Sequence, residues 1–223
     1  MSTPTPQTGD LRALANYDST LIRKPLFGTV FLAPYSTPLP TSLAAADGQV
    51  AIPAAFESVG RISEDGVSFA NDISMAEVRG WGSTSVLRRD FESRDATLQF
   101  AMLETKRLAY EVTHGVDLSE VEMSNDGEWS FTVPSQPTVK YWRAIAIGAD
   151  GAGDDRYYLA KIFGRVSLTE QDDETWTNSE DALMRNVTLG ADEDDAAGGP
   201  YSELLFGPGA LAAADRMGIT VAA

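Results

Sequence analysis

Between Val139 and Leu168 the chain carries two successive segments that are apolar on both faces. In the first, Val139, Tyr141, Ile145 and Ile147 fall on one side, with Trp142, Ala144 and Ala146 on the other. In the second, Tyr158, Ala160, Ile162 and Val166 alternate with Tyr157, Leu159 and Phe163. A period of two reads as β-strand. Apolar groups on both sides mean that each strand is covered twice, by further layers of its own domain or by a neighbouring subunit. The Gly/Asp stretch 148–155 reverses the chain between them. A lone half-exposed sheet is thereby excluded, and the remainder of the chain must supply two covers.

Other segments read as strands too. Leu26–Ala33 is short, apolar and β-branched, and Asp95–Phe100 alternates Ala96, Leu98 and Phe100 against Thr97 and Gln99. Asp65-Gly66 predicts a tight hairpin with arms Ser58–Ser63 and Val67–Ala70. Gly80-Trp81-Gly82 allows a bend or a bulge anchored by its ring, between Ile73–Arg79 and Thr84–Glu92. Trp129, Phe131 and Val133 alternate after the turn dipeptide Asp126-Gly127, and Leu183, Val187 and Leu189 form a last strand. One helix is expected, Ala101–His114. Ala101, Thr105, Leu108 and Val112 share a face with Met102 and Ala109, and Gly115 stands at the left-handed C-cap. A single amphipathic helix among strands covers an opening or a sheet face. His114, in its last turn, suits the negative end of the helix dipole.

The organisation is one β domain, 26–197, between an N-terminal arm, 1–25, and a C-terminal arm, 198–223. A chain of 223 residues buries about 70% of its unfolded surface, enough for one core without disulfides or metal. Inside the domain lies a long segment, Pro34–Phe56, with four prolines. Loops beyond about 12–15 residues are uncommon in compact domains. Its Leu39, Leu43, Val50, Ile52 and Phe56 are too apolar for a solvent linker, so it is expected to dock, on its own domain or on another copy.

Composition removes most chemistry. With no Cys and one His, thiolate nucleophiles, disulfides and multi-imidazole metal sites are excluded. No phosphate-binding, nucleophile-elbow or zinc-protease motif occurs, and the acids sit in turns and runs. No catalytic residue, cofactor or metal is expected, and the protein does not read as an enzyme. The net charge of −16 rules out ordinary DNA binding, which needs a basic face. Much of it lies in 170–195, where ten acids accompany one base, Arg185; Asp172, Asp173 and Glu174 there match no EF-hand spacing. No apolar run approaches a membrane span, and the N-terminus lacks a signal-peptide pattern, so cytoplasmic synthesis and no membrane partner are expected. A long semi-apolar segment, two arms and doubly apolar strands point to self-assembly instead of a pocket.

The ordered set Val59-Gly-Arg-Ile-Ser-Glu-Asp-Gly-Val-Ser-Phe69, Ala76-Glu-Val-Arg-Gly-Trp-Gly-Ser-Thr-Ser-Val-Leu-Arg88 and Asp95-Ala-Thr-Leu-Gln-Phe-Ala-Met-Leu-Glu-Thr105 resembles major tail (tail tube) proteins of long, flexible-tailed bacteriophages, most of all those of actinobacterial phages. The clear match spans 58–115. The resemblance implies a mainly β fold, a β-sandwich or barrel with one flanking helix. It also implies a virion subunit, assembled in the host cytoplasm, that forms stacked hexameric rings around a tape-measure protein, meets tail terminator and tail-tip proteins, and later passes genomic DNA without binding it. On that reading Pro34–Phe56 contacts the next ring through Leu39, Leu43, Val50, Ile52 and Phe56, and Asp72 and Glu77 contribute to a negative lumen. Competing readings are another virion β-protein, a tail terminator or head decoration, and a carbohydrate-binding β-sandwich using Trp129, Trp142 and Trp176 as an aromatic platform.

Overall fold

A computed structural model describes residues 8–136, 138–178 and 182–222. The elements are α1 (Leu11–Ala15), β1 (Phe27–Pro34), β2 (Glu57–Ser58), β3 (Ile62–Arg79), β4 (Val86–Met102), α2 (Arg107–His114), β5 (Tyr141–Asp150), β6 (Tyr157–Gln171), β7 (Arg185–Asp192), β8 (Tyr201–Phe206) and α3 (Pro208–Ala213). All pairings among the described strands are antiparallel, in the order β2-β1-β5-β6-β7-β4-β3, with β8 added to β6.

β6 is the spine. One of its edges pairs with β5; the other is shared, Tyr158–Phe163 with β8 and Arg165–Gln171 with β7. Between these halves Gly164 and Arg165 take up an extra residue, so that Ile162 and Val166 fall in different cores. Such a bulge bends its strand, and here it folds the sheet onto itself as a sandwich. Gly164 is required at the bend: a Cβ there would lie 2.7 Å from that of Ala197 and 2.8 Å from that of Asp194.

The fold supplies both covers for the doubly apolar strands. On the inner side, Trp142, Ala144, Ala146, Phe163 and Val166 meet Leu98, Phe100, Val187 and Leu189 from β4 and β7. α2 closes this core with Leu108, Ala109 and Val112, as an amphipathic helix among strands should. On the outer side, Ala33, Ile145, Ala160 and Ile162 are covered by Leu43 and Phe56, with Leu39 and Ile52 packed around them. The cover is therefore the segment 34–56 itself. Its centre forms a small turn through the Ala44–Val50 bridge and the bonds Ala45 N–H to Gln49 O and Ala51 N–H to Leu43 O.

Several sequence expectations are corrected. Asp65-Gly66 does not reverse the chain. β3 runs through it with a bulge between Ile62 and Val67, and Gly66 supplies the φ of +72° that the irregularity needs. The hairpin turn lies at Gly80–Gly82, where Trp81 is fully exposed and anchors nothing within the chain. The helix begins at Arg107, not Ala101. Ala101 and Met102 remain in β4 against Asn186 and Arg185, and Leu103 N–H continues outward to Arg61 O. Helical spacing at 101–105 loses to a ladder already running. The C-cap holds: Gly115 has φ +65° and donates to Glu111 O. Trp129, Phe131 and Val133 form no strand; Trp129 and Phe131 both pack on Tyr110. The last strand starts at Arg185, leaving Leu183 outside it.

Both chain ends join this body. Residues 201–206 are β8, and Leu21 packs with Met217, Tyr157, Ala210 and Ala213. Arg216 bonds Thr20 Oγ1 at 2.6 Å and pairs with Asp18 at 3.6 Å. Residues 1–7 of the proposed first arm, and Glu180 and Asp181 of the acidic stretch, lie outside the described residues.

Leu43 is fully buried against the chain's own sheet. Leu43→Ala is therefore expected to cost about 2–4 kcal/mol in urea unfolding of the monomer. A residue serving contacts between copies alone would leave that unfolding curve unmoved.

Candidate assembly surface

β3 and β4 outrun the body. Ala96–Met102 of β4 is held by β7, but beyond the Asn71–Ala96 pair, Asp72–Arg79 and Val86–Asp95 pair only with each other among the described residues. At about 3.4 Å per residue this hairpin projects roughly 25–30 Å. β3 keeps its alternation from Val67 to Val78, so the faces are assigned by register.

The face continuous with the inner core carries Ile73 opposite Arg94, Met75 opposite Phe91 and Glu77 opposite Arg89. Ile73, Met75 and Phe91 are about half exposed. Glu77 accepts from Arg79 at 2.8 Å and Arg89 at 3.1 Å, and these bonds hold its carboxyl below the usual range. The opposite face carries Asp72 opposite Asp95, Ser74 opposite Ser93, Ala76 opposite Asp90 and, nearest the tip, Val78 opposite Arg88, which pairs with Asp90 at 2.7 Å. That face continues over the body through rows such as Ala70, Thr97, Gly190 and Ser167, and Ser68, Gln99 and Thr188. These rows hold no Lys or Arg; Arg165 stands at the margin, paired with Asp192 at 3.2 Å. Asp72 and Glu77 therefore lie on opposite faces, and one wall cannot hold both.

The five residues expected to contact another ring are placed differently from that expectation. Leu43 and Phe56 are buried, and Leu39, Val50 and Ile52 are half-buried, the first and last against the same core. Besides Tyr35 and prolines, what the segment exposes is polar or small, including Asp47 and Gln49 at its turn.

Ion pairs fix the edges of this arrangement. Arg143, alone among apolar neighbours on β5, pairs with Asp194 at 2.7 Å and donates through Nε to Tyr35 O and Thr37 O. It thereby ties the start of segment 34–56 to the loop after β7. Burial opposes ionisation of Asp194, but hydrogen bonds from Tyr35, Ala197 N–H and Arg143 outweigh it and hold its carboxyl below the usual range. At α2, buried Glu111 pairs with Arg107 and, at 3.2 Å, with Lys140, and accepts from Leu118 N–H at 3.0 Å. The loop 116–140 is pinned further where Tyr110, His114, Trp129 and Phe131 pack ring on ring.

The aromatic platform is not assembled. Trp142 is buried, Trp129 packs edge-on against Tyr110, and Trp176 is exposed beside Glu174. Two open surface depressions lie beside Glu122 and Glu128 and beside Arg143 and Asp194. Sequence reading missed the apolar stripe Ile73–Met75–Phe91; its signal is that these residues share a face only once the hairpin register is known.

These features define a β-protein organised around a projecting arm. A family model described as phage tail tube protein matches residues 15–197, and the chain belongs to that family. It is a structural component of the virion tail. No curated protein matches the sequence. Among solved structures, a chain of the 6-fold symmetrised cryo-EM structure of the anti-feeding prophage (AFP) baseplate is similar, at 12% identity and a TM-score of 0.38, over 93% of this chain and 99% of its own. No helix among the described residues is long and apolar enough to cross a membrane.

Breaking the buried pair with Arg143→Met is expected to cost about 3 kcal/mol at pH 7, because Asp194 is left uncompensated. Asp194 titrates below 3.8 in the folded state, so its contribution is complete above that pH. It is lost as pH falls through the folded value. The gap between parent and variant in urea unfolding should hold at pH 5 and shrink below pH 3.8.

Proposed function

We propose that the protein is the tail tube subunit proper: copies close into hexameric rings, and rings stack into the conduit through which the genome leaves. The observation that carries this reading is the hairpin Asn71–Asp95, with an apolar stripe on one face and, on the other, a largely polar face with Asp72 and Asp95 at its base. An isolated two-stranded hairpin is marginal in water, and long unpaired edges invite pairing with another chain. A second copy that covers Ile73, Met75 and Phe91 resolves both. Contacts of this head-to-tail kind close into rings or propagate into filaments according to the rotation between copies. The segment 34–56 meets the next ring through its exposed turn around Asp47, its apolar side chains being engaged at home.

The opposite face suits the passage. Each Lys or Arg on a wall would gain energy by releasing counterions from DNA phosphate. Rows of Ser, Thr, Gln, Gly and Ala with Asp72 and Asp95 offer no such hold, the arginine on this face of the hairpin, Arg88, is paired with Asp90 at 2.7 Å, and mobile cations screen the acids within about 8–10 Å. Asp72 belongs to this wall, and Glu77 to the contact face. The tape-measure protein occupies the same passage before ejection, and tail terminator and tail-tip proteins cap its ends. The chain does no catalysis in this role and is assembled in the host cytoplasm.

Phe91→Asp tests the contact. Phe91 is exposed, so monomer stability should change by no more than about 0.5–1 kcal/mol. Tubes seen by negative-stain microscopy for the parent should be absent for the variant. Normal tubes from Phe91→Asp would refute the contact. Discrete rings from the parent would favour a terminator, and a glycan-binding monomer a carbohydrate module. A tube reconstruction with Ser74, Thr97 and Gln99 turned from the axis would overturn the wall assignment.

A further inference from the structure

Lys161 occupies a position where the strand pattern calls for an apolar residue. It stands opposite Ala146 on β5 and Glu203 on β8, on the same side of β6 as Phe163. Its Nζ lies 4.5 Å from the centre of the Tyr201 ring and 5.1 Å from that of Phe69, and it pairs with Glu203. Burial lowers its pKa from the ordinary lysine value. The Phe69 ring in turn stacks on Phe163, with centroids 6.3 Å apart and planes 13° apart, and Phe163 packs on Tyr201 at 5.5 Å.

Phe69 is placed where this group has leverage. It pairs with Leu98, two residues before Asn71, where the hairpin begins to leave the body. The next residues on its face, Asn71, Ile73 and Met75, are exposed. Among the described residues β3 and β8 share no ladder; the root of the hairpin is joined by backbone bonds to β6 only indirectly, through β4 and β7. The ammonium and rings span that gap. A cation between two aromatic faces, largely shielded from water, attracts both, whereas an aliphatic side chain would fill the space without orienting the rings.

We propose that Lys161 is a positioning residue for the hairpin: with Tyr201 and Phe163 it holds Phe69, and through Phe69 it sets the direction in which Asn71–Asp95 leaves the body. Its value to a tube rests on the assembly reading, but the direction itself is a property of the single chain.

The chain has no cysteine among its residues, so Thr84→Cys at the hairpin tip and Ala152→Cys on the body give two unique spin-label sites, both exposed in the parent. Pulsed dipolar spectroscopy on monomer should give one narrow distance. With Lys161→Met added, the width of that distribution should roughly double, and Lys161→Arg should restore it, since guanidinium keeps the cation–ring attraction. Phe69→Leu should broaden it likewise; Phe69 is part-exposed, so this variant carries the test if Lys161→Met fails to fold. An unchanged width in Lys161→Met, or in Phe69→Leu where that is the folded variant, overturns the proposal. Failure of both parent and variants to form tubes, with the widths behaving as stated, would count against the assembly reading alone.

Discussion

Everything in this structure depends on burying both faces of the β1–β5–β6 sheet. Ala144 and Ile145 are neighbours in sequence, both fully buried, and they belong to different cores. At about 25 cal/mol per Å² of apolar surface removed from water, neither face can be left wet. One cover is the folded-over half of the sheet with α2, which requires the bulge and Gly164 in β6. The other is the segment 34–56, whose residues beyond strand β1 thereby become core.

With both apolar faces satisfied within the chain, surface remains for other work. The acids of 170–174 and 192–195 gather about β7, with Asp192 as its last residue; Asp172 accepts from Asn186 at 2.7 Å, and Glu174 pairs with Arg185 at 3.0 Å. The hairpin is the exception to the general acidity. Its five acids stand among four arginines, Arg79, Arg88, Arg89 and Arg94, so it is the part of a −16 chain that approaches another copy with least repulsion. Its apolar stripe extends the inner core outward past the last residue that β7 supports. A subunit of this kind is complete as a fold and incomplete as a surface.

What was legible can be traced residue by residue. The strands at 141–150 and 157–171, the bend at Gly80–Gly82 and the Gly115 cap follow from period, turn chemistry and the φ > 0 that glycine accepts. Asp65-Gly66 misled because the same dipeptide serves a turn or a bulge, and only the partner strand decides. Ala101–Thr105 misled because helical spacing coexisted with the alternation Leu98, Phe100, Met102. Lys161 and Arg143 were not read from the pattern. Each is a single cation inside an apolar alternation, and that interruption was the available signal.

The sequence by itself determined the β class, the need for two covers and the excess of negative charge, because these follow from backbone geometry, side-chain transfer and counting. It left open whether segment 34–56 covers its own sheet or another's, because the apolar pattern is the same in both cases. Only the tertiary structure decided that, together with the placing of Asp72 and Glu77 on opposite faces and of residues 201–206 as β8. These are outcomes of pairing between segments distant in sequence. A one-residue change of register exchanges the two faces of a strand, so no local pattern can settle them.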